Sequence, residues 1–116
     1  MNTYSYVYKM HSADSHSDLG SSVAELADLF RLLGDATRLR IVLACLDAPL
    51  AVNDIANRLE LSSSLVSHHL RLLRAARIVK ADRQGKQVFY AAADQHISGV
   101  LADMLEHIAE PHMDTE

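Results

Sequence analysis

The sequence has a single cysteine, no tryptophan, two prolines and no apolar run long enough to cross a bilayer. Each scarcity excludes something. Lone Cys45 can form no internal disulfide and cannot build a thiolate metal cluster within one chain. A spanning helix needs roughly 20 apolar residues in succession, so no membrane partner is expected. The N-terminus carries no apolar run of the secretory kind, and a cytoplasmic location is the expectation. Aromatics are only 5% of the chain while apolar residues reach 49%, which suits a compact helical fold. At 116 residues one domain is expected, flanked by a flexible N-terminal arm over 1–20 and a tail over 111–116.

Charge of one sign is also missing where it matters. From Asp94 to Glu116 there is no Lys or Arg, against six carboxylates: Asp94, Asp103, Glu106, Glu110, Asp114 and Glu116. Just upstream the balance reverses. Arg71, Arg74, Arg77, Lys80, Arg83 and Lys86 face only Asp82, so six of the eleven cationic side chains fall within that stretch. The net charge of −4 therefore hides a basic segment followed by an acidic one. Distribution, more than the sum, decides whether a chain can meet a polyanion.

Apolar spacing predicts a first helix from about Ser22 to Leu33, with Val23, Leu26, Leu29, Phe30 and Leu33 on one side. Gly34 ends it, and Asp35 caps a second helix that stops before Pro49. A short third helix covers 52–59. Glu60, Leu61 and Ser62 form a tight connection, and Ser62 caps a fourth helix from Ser63 to about Ala76. Segments 77–83 and 86–92 read as a β-hairpin around a Gln84-Gly85 turn. Asp94 then caps a last helix that ends before Pro111. The fold class is mainly α with a β-hairpin wing: four helices, a hairpin and a fifth helix, the order of a winged helix-turn-helix.

On a helical wheel the fourth helix divides cleanly. Ser63, Ser64, Ser67, His68, Arg71 and Arg74 occupy one face, and Leu65, Val66, Leu70, Leu72 and Leu73 the other. Small hydroxyls at the N-terminal end would let the helix sit deep in a major groove, where they can meet base edges or phosphates. Arg71 and Arg74 are placed to neutralise phosphates, and Arg83 and Lys86 at the wing tip could add contacts. An amphipathic helix whose polar face is merely wet would look similar in isolation. The preceding short helix and the basic hairpin favour the DNA-binding reading. His69 falls among the leucines and reads as a hydrogen-bonded core histidine.

The runs LGDATRLRIVLACL (33–46), VNDIANRLELSSSLVSHHLRLLRAARIV (52–79) and DRQGKQVFYAAADQH (82–96) resemble the ArsR/SmtB family of metal-sensing repressors. The likeness covers about residues 22–110. It implies a winged-helix homodimer joined through the first and last helices, an inverted-repeat operator in double-stranded DNA, and release from that operator when the inducer binds. Many members of that family sense soft metals or arsenite through cysteines on the third helix. This chain reads LAVNDI there, which disfavours arsenite, lead, cadmium and persulfide sensing through thiolates, and Cys45 in its apolar setting reads as a core residue.

Asp94, His96, His107 and Glu110 are the candidate metal ligands. His96 and His107 share a face of the last helix, offset by about 20°, but stand roughly 16 Å apart along its axis. Zinc–nitrogen bonds of about 2 Å cannot bridge that distance within one chain. Two copies packed antiparallel would bring Asp94 and His96 of one against His107 and Glu110 of the other, giving two equivalent sites. This D-x-H and H-x-x-E arrangement resembles the family's zinc-responsive sites. Two imidazoles and two carboxylates suit Zn2+, with Co2+ and Ni2+ as competitors. His11, His16 and His112 are candidate extra ligands for nickel, which prefers a larger set. Ordinary roles compete at each position: Asp94 as a cap, Glu110 as a surface acid, and the histidines as interface residues.

The function expected is a metal-responsive repressor released by zinc. The alternatives are a nickel or cobalt sensor of the same fold, or a winged-helix regulator indifferent to metal. No enzyme activity and no small-molecule substrate are expected, because four protein ligands leave a metal no open position and nothing predicts a substrate pocket.

Overall fold

The computed structural model describes residues 16–111, and the chain divides after Gly34 into two compact units. The first holds helix α1 (His16–Leu33). The second runs α2 (Ala36–Ala44), β1 (Leu50–Ala51), α3 (Val52–Leu59), α4 (Ser63–Ala75), β2 (Val79–Gln84), β3 (Gln87–Ala92) and α5 (Gln95–Ala109). The expected order of helices and hairpin is present. No described helix is long and apolar enough to cross a membrane.

Helix α1 starts at His16, earlier than Ser22, so the last residues of the expected 1–20 arm are helical. Leu19 supplies the reason: with Val23, Leu26 and Phe30 it extends the 4-3-4 apolar spacing by one turn. Gly20 costs that turn only about 1 kcal/mol relative to Ala. Residues 1–15, with His11, and 112–116, with His112, lie outside the described residues.

Three helices of the second unit begin at side-chain caps legible in the sequence. Asp35 accepts from the Arg38 N–H at 2.9 Å, Ser62 from Leu65 at 3.1 Å and Asp94 from Ile97 at 3.0 Å. Each satisfies one of the first-turn N–H groups that have no partner within the helix. Helices α3 and α4 end alike. Ala56 C=O accepts from Leu61 N–H and Leu73 C=O from Ile78 N–H, each closing over a left-handed residue, Glu60 (φ 59°) or Arg77 (φ 61°). That is the Schellman arrangement with a side chain where glycine is usual, at a cost of about 1–2 kcal/mol per position.

The core gathers Ile41, Val42 and Cys45 from α2, Ile55 and Ala56 from α3, Val66, Leu70 and Leu73 from α4, and Ala51, Ile78 and Val79 around the sheet. No polar residue is buried among the described residues. Cys45 is 1% exposed, and burial pushes its thiol up to about 11, so it stays a protonated, small apolar filler. Leu65 and Leu72, expected inward, are 39% and 38% exposed. Buried Val66, Leu70 and Leu73 define the centre of the inward arc, and Leu65 and Leu72 lie about 100° or more from it, at its rim.

The hairpin also differs by a residue from expectation. Gln84 pairs with Gln87, so the turn is Gly85-Lys86 rather than Gln84-Gly85. Gly85 has φ +67° and Lys86 is not in the positive-φ region, the pattern of a II′ turn, which requires Gly first. A turn centred on Gln84-Gly85 would force positive φ on a glutamine. A third strand went unexpected: β1 pairs antiparallel with β3, Leu50 opposite Tyr90 and Ala51 opposite Phe89, giving the order β1-β3-β2. Two residues are too few to show an alternating period, so only the pairing reveals it.

Candidate functional site

Helices α3 and α4 with their 60–62 connection form the helix-turn-helix. Ile55, Ala56, Val66 and Leu70 pack in the shared core, which leaves Ser63, Ser64, His68, Arg71 and Arg74 exposed on α4, with Ser67 half-buried. The six polar residues singled out on this helix therefore share one accessible face. The Ser63 hydroxyl donates to Asn53 Oδ1 of α3 at 2.9 Å, a tie across the turn that no local pattern signals. Arg40 Nη2 donates to the Leu59 carbonyl at 3.1 Å, joining α2 to the end of α3. At the wing, Arg83 sits on β2 opposite Val88 and Lys86 in the turn, both exposed, while Gln84 Nε2 donates to Asp82. Between Arg71 and Lys86 the basic residues thus run from the exposed face of α4 to the hairpin tip.

His69 is half-buried, and its Nδ1 accepts from Arg38 Nε at 3.3 Å. The acceptor role requires a neutral ring with its proton on Nε2. Partial burial, followed by the adjacent Arg38 guanidinium, lowers the His69 pKa from its ordinary 6.5. An imidazole harder to protonate in the folded chain means that the unfolded chain binds more protons, so stability must fall as pH drops below about 6.5. Urea midpoints measured between pH 7.5 and 5.5 should decline, and His69→Asn should flatten that decline. An equal decline in the variant would clear His69 of it. At lower pH, Asp35 and Asp94, both held below 3.8 mainly by the backbone N–H groups they cap, contribute stability that is lost as pH falls through their depressed values.

Helix α5 carries the four candidate metal ligands at its two ends. Asp94 caps it through Oδ1, while its Oδ2 stands 3.5 Å from His96 Nδ1. The oxygen that caps the helix and the one that faces His96 are therefore different. His96 is 91% exposed, and His107 and Glu110 are exposed in the last turn and at the C-cap. No three metal-ligating side chains converge among the described residues of one chain. The separation along the helix forbids it. Val100, Met104, Leu105 and Ile108 of α5 are 46–72% exposed, and α5 buries no residue. On α1, Leu19, Val23, Leu26 and Phe30 are 45–61% exposed. His16 is the first residue of α1.

A family model for bacterial regulatory proteins of the arsR family matches residues 35–81, from the α2 cap into β2. The chain is 38% identical over 86 residues to a transcriptional repressor SmtB homolog of Synechocystis sp., covering 74% of this chain and 65% of that protein. It thus spans just under two thirds of that relative's length. A cadmium resistance regulatory protein CadC homolog of Staphylococcus aureus is 37% identical over 87 residues, covering 74% of this chain and 72% of that protein. Among solved structures, the cadmium metal-sensor CMTR of Mycobacterium tuberculosis superposes with a TM-score of 0.62 at 38% identity, over 78% of this chain and 94% of that one. The helix-turn-helix and the Asp35 and Ser62 caps lie within residues 35–81, the stretch that the family model matches. The chain belongs to the arsR family of bacterial regulatory proteins.

Proposed function

We propose that this protein is a cytoplasmic, metal-responsive transcriptional repressor that binds an inverted-repeat operator as a homodimer and leaves it when zinc binds between the last helices of two copies. The observation that carries the DNA-binding part is the exposed polar face of α4, held on a helix-turn-helix whose opposite face is core. Ser63, Ser64, Ser67 and His68 would read or touch the groove, and Arg71, Arg74, Arg83 and Lys86 would meet phosphates. The names of similar proteins, a transcriptional repressor homolog, a cadmium resistance regulatory protein homolog and a cadmium metal-sensor, support the same class. Exposed apolar faces on α1 and on α5 are what a homodimer would bury.

For the metal, Asp94 and His96 of one copy with His107 and Glu110 of the other form a closed four-ligand set. The chemistry fits: imidazole and carboxylate donors suit zinc, with cobalt and nickel as competitors, and the pair already adjacent at one end of α5 is half of the set. A bound ion would link the two α5 helices and so favour one dimer geometry. The free and linked geometries must differ in how well two α4 helices match successive major grooves, one turn of DNA apart. DNA then weakens metal binding by the same factor as metal weakens DNA binding.

Fluorescence anisotropy of operator duplexes with and without Zn, Co and Ni, together with metal stoichiometry, tests this. The expected result is two ions per dimer and a zinc-dependent fall in operator affinity of roughly 5–150-fold. Binding indifferent to all three metals would leave only the metal-independent regulator. Arg71→Ala should weaken operator binding and reduce the slope of log affinity against log salt by about one unit, the signature of one lost phosphate contact. An unchanged slope would show that Arg71 touches no phosphate.

A further inference from the structure

The bond between Ser63 and Asn53 decides more than the geometry of the turn. Ser63 is the first residue of α4, on its exposed face, and Asn53 is an exposed residue in the first turn of α3. A hydroxyl has one proton to donate and lone pairs with which to accept. Here the proton goes to Asn53 Oδ1 at 2.9 Å, an oxygen that can only accept. The Ser63 oxygen is left as an acceptor toward whatever lies in front of α4. Phosphate oxygens offer no proton, so a Ser63 held this way gains nothing from the DNA backbone. In the major groove the available donors are the exocyclic amino groups of adenine (N6) and cytosine (N4), whereas guanine N7 and O6 and thymine O4 only accept.

Resting on the reading of α4 as the DNA-facing helix, we propose that Ser63 is a specificity residue that accepts a hydrogen bond from an adenine or cytosine amino group. Asn53 is the positioning residue that sets this polarity by holding the hydroxyl proton. In open water the Ser63–Asn53 bond competes with solvent. Inside a groove that excludes water, an unmatched polar group is costly, so the committed proton becomes a discriminating feature. Guanine or thymine opposite Ser63 would set acceptor against acceptor. The Asn53 amide keeps its two N–H donors for a neighbouring phosphate or base acceptor. Asn53 thus supplies both the restraint and a further contact.

Selection of duplexes from a randomised pool by the full-length protein identifies the operator and its half-sites. In synthetic operators the amino group is then deleted base by base, adenine to purine and cytosine to 2-pyrimidinone. At one symmetric position of each half-site, deletion should cost the unaltered protein about two- to tenfold in affinity, the range of one hydrogen bond. It should cost Ser63→Ala nothing. Asn53→Asp, which keeps the acceptor, should retain the effect even if its added charge weakens binding to every sequence. Asn53→Ala, which frees the proton, should lose it. The proposal is overturned if amino deletion costs Ser63→Ala as much as the unaltered protein at every position, or if Asn53→Ala discriminates unchanged. In either of those outcomes a selected operator still stands as evidence that the protein binds DNA specifically. Failure of the unaltered protein to select any sequence overturns the DNA-binding reading, and this one with it.

Discussion

His107→Ala is expected to bind operator as tightly as the unaltered protein and to ignore zinc. His107 is exposed in the last turn of α5 and contributes nothing to the core, so its removal should leave the fold and α4 in place. What it removes is one of the two imidazoles in the proposed set. Three remaining ligands from two chains hold zinc more weakly, and the link between the α5 helices loosens with it. The whole coupling of about 1–3 kcal/mol should vanish, which appears in anisotropy as loss of a roughly 5–150-fold zinc effect. The matching measurement is zinc binding itself, which should weaken in parallel. A variant that still releases DNA with normal zinc sensitivity would remove His107 from the mechanism. A variant that cannot bind operator even without zinc would show that the residue serves the dimer.

Leu73→Ala is expected to cost about 2–5 kcal/mol of stability, while Leu72→Ala, one residue away, should cost well under half as much. Leu73 is 0% exposed among Ile41, Ile55 and Leu70, whereas Leu72 is 38% exposed at the rim of the same helix. Truncation of a fully enclosed leucine loses the transfer energy of its methyl groups and leaves a cavity that the neighbours fill only in part. Native domains hold only about 5–15 kcal/mol in total, so the first variant approaches the threshold of unfolding. Urea denaturation of the two variants at equal protein concentration decides it, with unchanged slopes expected. Similar losses at both positions would mean that α4 is rotated relative to the described packing, and its exposed face would have to be redrawn.

That rotation carries the functional argument. The wheel separates Arg71 from Leu70 by pattern alone, and the structure places Leu70 at 1% exposure with Arg71 open, so the polar face of α4 was legible in advance. The same holds for Asp94, whose capping role follows from a carboxylate ahead of an apolar-periodic run. Its second oxygen 3.5 Å from His96 was not legible, because the rotamers that bring them together follow from the cap geometry. The wheel marks His69 as a hydrogen-bonded histidine among leucines, but its partner, Arg38, lies 31 residues earlier on another helix. No local pattern could name it.

By itself the sequence determined the features that arise within a few residues: the order of the helices apart from the early start of α1, where Asp35, Ser62 and Asp94 cap them, which side of α4 is apolar and where the basic segment gives way to the acidic one. These follow from propensity, periodicity and backbone donors seeking nearby acceptors, all settled inside a turn or two. Only tertiary structure decided the pairing of Leu50–Ala51 with β3, the II′ register that sets Gly85 first, the rim position of Leu65 and Leu72, and the capture of the Ser63 proton by Asn53. Those depend on contacts between segments distant along the chain, whose geometry is set when the core closes around Ile41, Ile55 and Leu73.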